Sequence, residues 1–292
     1  MTSAAAAATS SSDRYCVMGN PVAHSRSPWI HARFAELCGQ DLHYERQHVE
    51  LDGFAQAVRG FIAAGGRGCN VTVPFKLEAA QLATTSSERV QLAGAANTLV
   101  LAADGIHADN TDGAGLVADI EHNAGLKIAR RNVLLIGAGG AAAGVLGPLL
   151  SAGPALLTVV NRTHQRAADL VERHADWARI QQVPLRAVEV GALQQDFDIV
   201  VNATASSLAG GDIPVPAHVL RPGALALDMM YGPAAQGFLD WARAHGATPR
   251  DGLGMLVEQA AESFRIWRGV RPPSAQVLAE LRALLPQPST PA

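Results

Sequence analysis

Cysteine is scarce in this chain of 292 residues. The three cysteines, Cys16, Cys38 and Cys69, are widely spaced and never form a C-x-x-C pair. A disulfide framework or a cysteine-rich zinc site would need paired or clustered cysteines, so the sequence excludes both classes. We expect three reduced, buried thiols in a reducing compartment.

Charge blocks and long apolar runs are also missing. Charged residues make up 17% of the chain and the formal net charge is −3, without a basic stripe, which argues against a nucleic-acid partner. No apolar run approaches the roughly 18 residues of a membrane span. The Ala/Ser/Thr-rich start lacks the positive region and Leu-rich core of a signal peptide. We therefore expect a cytoplasmic protein without a membrane partner, with disordered tails at 1–13 and 286–292.

Two catalytic signatures are absent as well. The ten histidines include no H-x-x-x-H pair and no Cys/His cluster, so we predict no metal. The G-x-S-x-G elbow of many serine hydrolases does not occur.

What the chain does contain is an alternation of apolar runs and helical patterns. This alternation predicts an α/β fold with mostly parallel sheets, in one large domain or two. An Asp-Gly turn within Ala102–Ile106 predicts a hairpin, and with it one antiparallel strand. The predicted strands are Tyr15–Met18, Leu42–Gln47, Cys69–Val73, Asn97–Leu101, Val133–Ile136, Leu156–Val160, Ile199–Val201 and Ala224–Leu227. The predicted helices include Ile30–Cys38, Phe54–Ala63, Gly115–Asn123 and Gln165–His174.

A glycine-rich turn follows the buried-strand pattern Asn132–Ile136. The run Gly137–Ala142 (GAGGAA) fits G-x-G-x-x-G/A between a strand and a helix. Gly137 permits a tight turn, Gly139 lets the backbone approach a pyrophosphate, and Ala142 allows close packing of helix on strand. The helix N-terminus then offers free N–H groups to phosphates. The alternative is a glycine turn that only packs.

The next strand ends in Asn161-Arg162-Thr163-His164-Gln165-Arg166. An NAD-binding protein places an acidic residue there for the ribose hydroxyls, and this chain has none. Arg162 and Arg166 would instead suit a 2′-phosphate, which accepts charge-assisted hydrogen bonds. The motif therefore predicts NADP as the cofactor.

A second set of polar residues lies in the first third of the chain. Ser27 before Pro28 is typical of a helix N-cap, and Ser25 and Ser27 together could also bind a carboxylate at that helix end. Asn70 and Thr72 alternate to one face of a predicted strand, and Lys76 follows its end. Asp112 reads as a helix-start carboxylate.

These segments together resemble the shikimate dehydrogenase family. The motifs GNPVAHSRSP, NVTVPFK, GAANT, DNTDG, IGAGGA, NRTHQR, NAT, DMMY and DGLGMLVEQ run in the family order from Gly19 to Gln259. The resemblance implies an N-terminal α/β substrate domain over 14–111, completed by C-terminal helices within 253–285. It further implies a Rossmann NADP-binding domain over 112–252 and an active site in the cleft between the two.

The resemblance also implies roles for individual residues. Lys76 and Asp112 are similar to the family's catalytic pair. Those similar to substrate ligands are Ser25, Ser27, Asn70, Thr72, Asn97, Tyr231 and Gln259. Those similar to cofactor-binding residues are Gly137, Ala138, Gly139, Gly140, Ala141, Ala142, Asn161, Arg162, Thr163, Arg166, Met229 and Gly252. Many family members have serine where this chain has Ala142.

The expected activity is the reversible NADPH-dependent reduction of 3-dehydroshikimate to shikimate. A lysine ammonium beside the ketone oxygen can stabilise the developing alkoxide and supply a proton, while a carboxylate positions the amine. The alternatives are a quinate/shikimate dehydrogenase with relaxed substrate use, a non-catalytic NADP-binding regulatory protein, and an enzyme of another substrate class on the same plan. We expect a monomer or a homodimer.

Overall fold

Two six-stranded sheets organise the chain in the computed structural model, which describes residues 12–204, 213 and 215–285. The strands are β1 (Asp13–Gly19), β2 (Leu42–His48), β3 (Gly66–Val71), β4 (Thr85–Ser86), β5 (Thr98–Ala102), β6 (Gly105–Asp109), β7 (Asn132–Ile136), β8 (Leu156–Val160), β9 (Leu185–Ala187), β10 (Phe197–Asn202), β11 (Leu220–Asp228) and β12 (Thr248–Arg250). The helices are α1 (Ser27–Cys38), α2 (Phe54–Ala63), α3 (Lys76–Leu82), α4 (Glu88–Ala93), α5 (Asp112–Ala118), α6 (Gly140–Ser151), α7 (His164–Arg173), α8 (Ala175–Ile180), α9 (Gln236–Ala244), α10 (Leu253–Arg268) and α11 (Ser274–Leu284).

The first sheet has the strand order β2-β1-β3-β5-β6-β4. Strand β5 is antiparallel to both of its neighbours, whereas the other pairs are parallel. The β5–β6 hairpin turns at Ala103 and Asp104, because Ala102 pairs with Gly105. The Asp-Gly signal thus correctly predicted the hairpin and the single antiparallel strand.

The second sheet has the order β12-β11-β10-β7-β8-β9 and is parallel throughout. Read from β9, this is the doubly wound order of a dinucleotide-binding domain, with the order reversing between β7 and β10. Its central strands are buried on both faces, since helices cover each side. The predicted α/β class with a Rossmann sheet is confirmed.

Helices α5 and α10 pack against each other between the two sheets. Gly115 lies at their contact, where a Cβ atom would stand 2.6 Å from the backbone nitrogen of Gln259. At Gly254 a Cβ atom would stand 1.7 Å from the Asp119 carboxylate. Both glycines allow an approach that any side chain would prevent. Helix α5 continues into a π-helical turn at Asp119–Asn123, so the predicted helix Gly115–Asn123 exists but changes its hydrogen bonding.

Some sequence predictions need correction at the edges of the fold. Strand β1 already begins at Asp13, and Ser12 donates a hydrogen bond to Asp41, so the tail predicted over 1–13 is wrong at its end. Its remainder, 1–11, and the tail 286–292 lie outside the described residues. The three thiols are free, but Cys38 is only half-buried because it closes α1 near the surface. In the described part of the chain, no helix has the length and apolar character needed to cross a membrane.

Candidate functional site

Four strand ends of the first sheet converge on one edge. Strands β1, β3 and β6 end there, and β5 begins there because it runs the opposite way. The polar runs that follow or precede these strands therefore meet: 19–28, 70–76, 97–98 and 109–112. This edge is where parallel α/β sheets bind ligands.

Lys76 and Asp112 form an ion pair at this edge. The Lys76 Nζ atom lies 2.5 Å from the Asp112 Oδ2 atom, and the side chains are 29% and 13% exposed. Lys76 is the first residue of α3 and Asp112 the first residue of α5. A carboxylate in the first turn of a helix is favoured by the helix dipole, and the predicted helix start at Asp112 is correct.

Asn97 connects Asp112 to α10. Its Nδ2 atom donates to the Asp112 Oδ1 atom at 2.9 Å and to the Gln259 Oε1 atom at 3.2 Å. Its Oδ1 atom accepts from the Thr111 backbone nitrogen at 2.8 Å, which fixes the orientation of the amide. Four predicted site residues are thus joined in one cluster, Lys76, Asp112, Asn97 and Gln259.

Asn70 lies next to this cluster on β3. It is 6% exposed, and its Nδ2 atom donates to the Asn97 backbone carbonyl oxygen at 3.2 Å. Thr72 lies just past the end of β3, half-buried, and its backbone nitrogen donates to the Met18 carbonyl oxygen. Both residues therefore lie at the converging edge, and that their side chains meet one ligand stays a prediction.

The two serines lie where β1 leads into α1, but their predicted capping role is wrong. Arg26 occupies the N-cap position in a helical conformation, no side chain caps the helix, and Ser27 is its first residue. The Ser25 hydroxyl instead donates to the Ser27 Oγ atom at 3.2 Å. The Arg46 guanidinium holds this turn by donating to the Ser25 carbonyl oxygen at 2.6 and 2.9 Å. The two hydroxyls therefore lie side by side near a helix N-terminus.

Met229 and Tyr231 follow β11, and Gly252 follows β12, past the ends of two strands of the second sheet. The Gly252 backbone nitrogen donates to the Met230 carbonyl oxygen at 2.8 Å, and a Cβ atom at Gly252 would stand 2.2 Å from the Met229 carbonyl oxygen. Tyr231 packs against the α1–α10 core, where burial raises the pKa of its phenol. Nearby Arg26 opposes that rise, so Tyr231 lies on the side of the serine turn.

The glycine-rich turn has the shape of a phosphate loop. Gly137 has a φ of +114°, which a residue with a side chain rarely adopts, and its backbone nitrogen donates to the Val160 carbonyl oxygen. A Cβ atom at Gly139 or Gly140 would meet nothing within 4 Å, so the backbone is open to a ligand. Ala142 is fully buried against the sheet. Of the remaining predicted residues, Ala138 lies on this same turn and Ala141 is in the first turn of α6.

The residues predicted to bind the 2′-phosphate follow β8. Arg162, Thr163 and Arg166 are exposed, and neither arginine makes an ion pair with the described residues. Asn161 donates from its Nδ2 atom to the Thr163 carbonyl oxygen at 2.9 Å, which shapes the turn rather than leaving that N–H group free. The two guanidinium groups are therefore cations without an ion pair among the described residues. They follow β8, which is the neighbour of the strand that precedes the glycine-rich turn.

Several buried polar residues around the site were not predicted to have a role. Tyr44 donates to the Asn70 Oδ1 atom at 2.7 Å, and Asn110 accepts from the Asp112 backbone nitrogen at 3.1 Å. Thr98 and Ser263 share a hydrogen bond of 2.8 Å beneath Asn70. Asn110 and Thr98 lie within the DNTDG and GAANT motifs, whose polar groups the sequence already places with the site. Tyr44 and Ser263 carry no motif, since only the fold brings them here.

Family models cover most of the chain. Residues 17–99 match the shikimate dehydrogenase substrate binding domain, residues 119–209 match shikimate/quinate 5-dehydrogenase, and residues 252–282 match the shikimate 5'-dehydrogenase C-terminal domain. A shikimate dehydrogenase (NADP(+)) from Acidovorax sp. strain JS42 is 71% identical over 95% of this chain and 98% of its own length. One from Paracidovorax citrulli is 69% identical over 95% and 99%.

Solved structures share the fold of this chain. An Ael1 enzyme from Pseudomonas putida is 47% identical, with a TM-score of 0.86 over 92% of this chain and 98% of its own. Shikimate 5-dehydrogenase from Thermus thermophilus, in complex with NADP(H) and shikimate, is 32% identical, with a TM-score of 0.82 over 94% and 100%. This chain therefore belongs to the shikimate dehydrogenase family.

Proposed function

We propose that this protein catalyses the reversible NADPH-dependent reduction of 3-dehydroshikimate to shikimate. The observation that carries the proposal is the Lys76–Asp112 pair, only partly exposed, at an edge crowded with amides and hydroxyls. Relatives named shikimate dehydrogenase (NADP(+)) match this chain over nearly its full length. A non-catalytic regulatory protein would not need to keep that pair, so this alternative is not favoured.

We infer that residues 14–111, with helices in 253–285, bind the substrate and that 112–252 bind the cofactor. The glycine-rich turn fits a pyrophosphate because Gly139 and Gly140 leave the backbone accessible at the start of α6. Arg162 and Arg166 would hold the 2′-phosphate, with Thr163 and Asn161 shaping their turn. Met229 and Gly252 would lie near the nicotinamide. When bound, the cofactor supplies or accepts the hydride.

Lys76 acts on the oxygen of the reacting carbon. Its ammonium stabilises negative charge that develops there and supplies the proton during reduction. Asp112 holds the ammonium in place through the 2.5 Å contact, and Asn97 holds Asp112. Asn70, Thr72, Asn97 and Gln259 bind the ring oxygens in this proposal, because their amide and hydroxyl groups lie at the same edge as that pair.

The serine turn binds the substrate carboxylate. Ser25 and Ser27 present two hydroxyls at the N-terminus of α1, where an anion is favoured, and Tyr231 adds a phenol on that side. Shikimate has a flat carboxylate on a double-bonded carbon, whereas quinate has a saturated carbon with an extra hydroxyl. Burying that hydroxyl without a partner would cost about 1–3 kcal/mol, and any cost above about 1.4 kcal/mol corresponds to more than ten-fold in kcat/KM.

Initial rates with shikimate and quinate, each with NADP+ and NAD+, test the proposal. We expect shikimate with NADP+ to be fastest and Ser25→Ala to raise the KM for shikimate. Equal turnover of quinate would refute the selectivity, and no turnover of shikimate would refute the function. The cytoplasmic location and the monomeric or dimeric state stay predictions.

A further inference from the structure

One buried tyrosine contacts the proposed substrate site without belonging to any motif. Tyr44 lies on β2 and is 8% exposed. Its phenol reaches Asn70 on β3, and the strand between them, β1, carries Tyr15 in register with Tyr44. The contact therefore spans three neighbouring strands on the face covered by α1 and α10.

The hydrogen bond between Tyr44 and Asn70 can run in only one direction. Burial holds the pKa of the Tyr44 phenol well above its usual value, with a smaller opposing effect from the nearby Ser27 side chain, so the phenol keeps its proton. Asn70 turns its Nδ2 atom towards the Asn97 carbonyl oxygen, which can only accept. Its Oδ1 atom must then face Tyr44, and the phenol donates to it at 2.7 Å.

The ring of Tyr44 is itself held firmly. It stacks on the imidazole of His31, with the ring centroids 4.3 Å apart and the planes 6° from parallel. Full burial lowers the pKa of His31 to about 3, so the imidazole that stacks on Tyr44 is uncharged near neutral pH. Tyr44 also approaches Trp267, at 6.3 Å between centroids. A rigid aromatic ring can fix its hydroxyl with little loss of entropy.

We propose that Tyr44 is a positioning residue for substrate binding, which sets the Asn70 carbonyl oxygen in the orientation that receives a ring hydroxyl. Asn70 Oδ1 has two acceptor sites, and the phenol occupies one of them. In this proposal the other receives the substrate hydroxyl, since Asn70 lies on the converging edge and keeps an exposed fraction of 6%. Tyr44 does not touch Lys76 or Asp112, which are held by Asn97 and Asn110 instead.

The inference rests on the proposed function, and Tyr44→Phe tests it. We expect the KM for shikimate to rise about ten-fold and kcat to change less than about three-fold, because an interaction made equally with bound substrate and transition state affects KM alone. Tyr15→Phe is the matched control. Tyr15 is buried in the same aromatic cluster at 3% exposure, but its hydroxyl contacts Arg268 rather than Asn70.

A double-mutant cycle distinguishes positioning from a general packing effect. If Tyr44 acts through Asn70, Tyr44→Phe will raise KM in the wild-type background but add nothing in an Asn70→Ala background. Effects that multiply would overturn the inference, as would a Tyr44→Phe protein whose KM equals that of Tyr15→Phe.

The two proposals fail in different ways. A wild-type protein that does not oxidise shikimate refutes the function. The Tyr44–Asn70 contact can then still be measured without activity, from the side-chain amide resonances of Asn70 in ¹⁵N-labelled protein. These should shift in Tyr44→Phe and stay in place in Tyr15→Phe, and unchanged resonances in both would overturn the contact.

Discussion

Replacing Lys76 by alanine should abolish most of the turnover while leaving the fold intact. A group that exchanges a proton in the transition state contributes roughly 10²–10⁴ in kcat, which is about 2.7–5.4 kcal/mol of activation free energy. The ground-state contact with substrate is the smaller part of that, so KM should change much less than kcat.

The structure limits how much stability the same substitution removes. Lys76 is 29% exposed, and its loss leaves Asp112 with the hydrogen bond from Asn97 at 2.9 Å and the favourable first turn of α5. A partly solvated ion pair of this kind contributes about 1 kcal/mol at most. The expected loss of activity is therefore larger than the expected loss of stability.

Steady-state rates of NADP+ reduction with shikimate, together with urea unfolding of each variant, measure the two effects. The chain offers a matched control, since Lys127 is its only other lysine and is 72% exposed beside Glu121. Lys127→Ala should keep the parental kcat. A Lys76→Ala protein whose kcat stays within a few-fold of the parent would show that Lys76 does not act in the reaction.

Three further predictions concern the cofactor, the helix contact and acid stability. Arg162→Ala should raise the KM for NADP+ roughly ten-fold and leave NAD+ kinetics unchanged, because one charge-assisted hydrogen bond is worth about 1.5–3 kcal/mol. Gly254→Ala should destabilise the protein by about 1–3 kcal/mol in urea unfolding, since its Cβ atom would stand 1.7 Å from the Asp119 carboxylate. Hydrogen bonding from Arg265 lowers the pKa of Glu262 from 4.5 to about 2, although burial opposes this. The Glu262 carboxylate therefore stabilises the fold above about pH 4.5, and this stabilisation is lost as the pH falls towards 2. Glu262→Gln should remove up to about 3 kcal/mol at neutral pH and make the acid loss of stability shallower.

Each of these variants has a control in the same structure. Arg173→Ala lies at the other end of α7 and should not affect NADP+. Gly60→Ala lies within α2, where a Cβ atom meets nothing within 4 Å, and should not destabilise. Glu280→Gln breaks a half-buried pair with Arg33, in which Glu280 is 32% exposed, and should matter less than Glu262→Gln because Glu262 is only 10% exposed. A Glu262→Gln protein whose free energy of unfolding falls with pH as in the parent would contradict the lowered pKa of Glu262.

The sequence by itself predicted the α/β class, the hairpin and most strand positions. Buried strands of parallel sheets are short apolar runs, and β8 matched its predicted range Leu156–Val160. The glycine-rich turn was equally readable, because Gly137 needs a backbone conformation that few other residues adopt. The family motifs then named the site residues, which stay predictions as to role.

Only the tertiary structure decided how those residues meet. The hairpin signal predicts one antiparallel strand but not that β5 pairs with β3, and this pairing brings Asn97 beside Asn70 and Asp112. Ser27 looked like a helix cap, but the chain is already helical at Arg26, so the cap position moved by one residue. Tyr44 has no local signal at all. Its hydrogen bond to Asn70 depends on two strands separated by a third, and pairing over such distances is set by packing of the whole sheet rather than by neighbours in sequence.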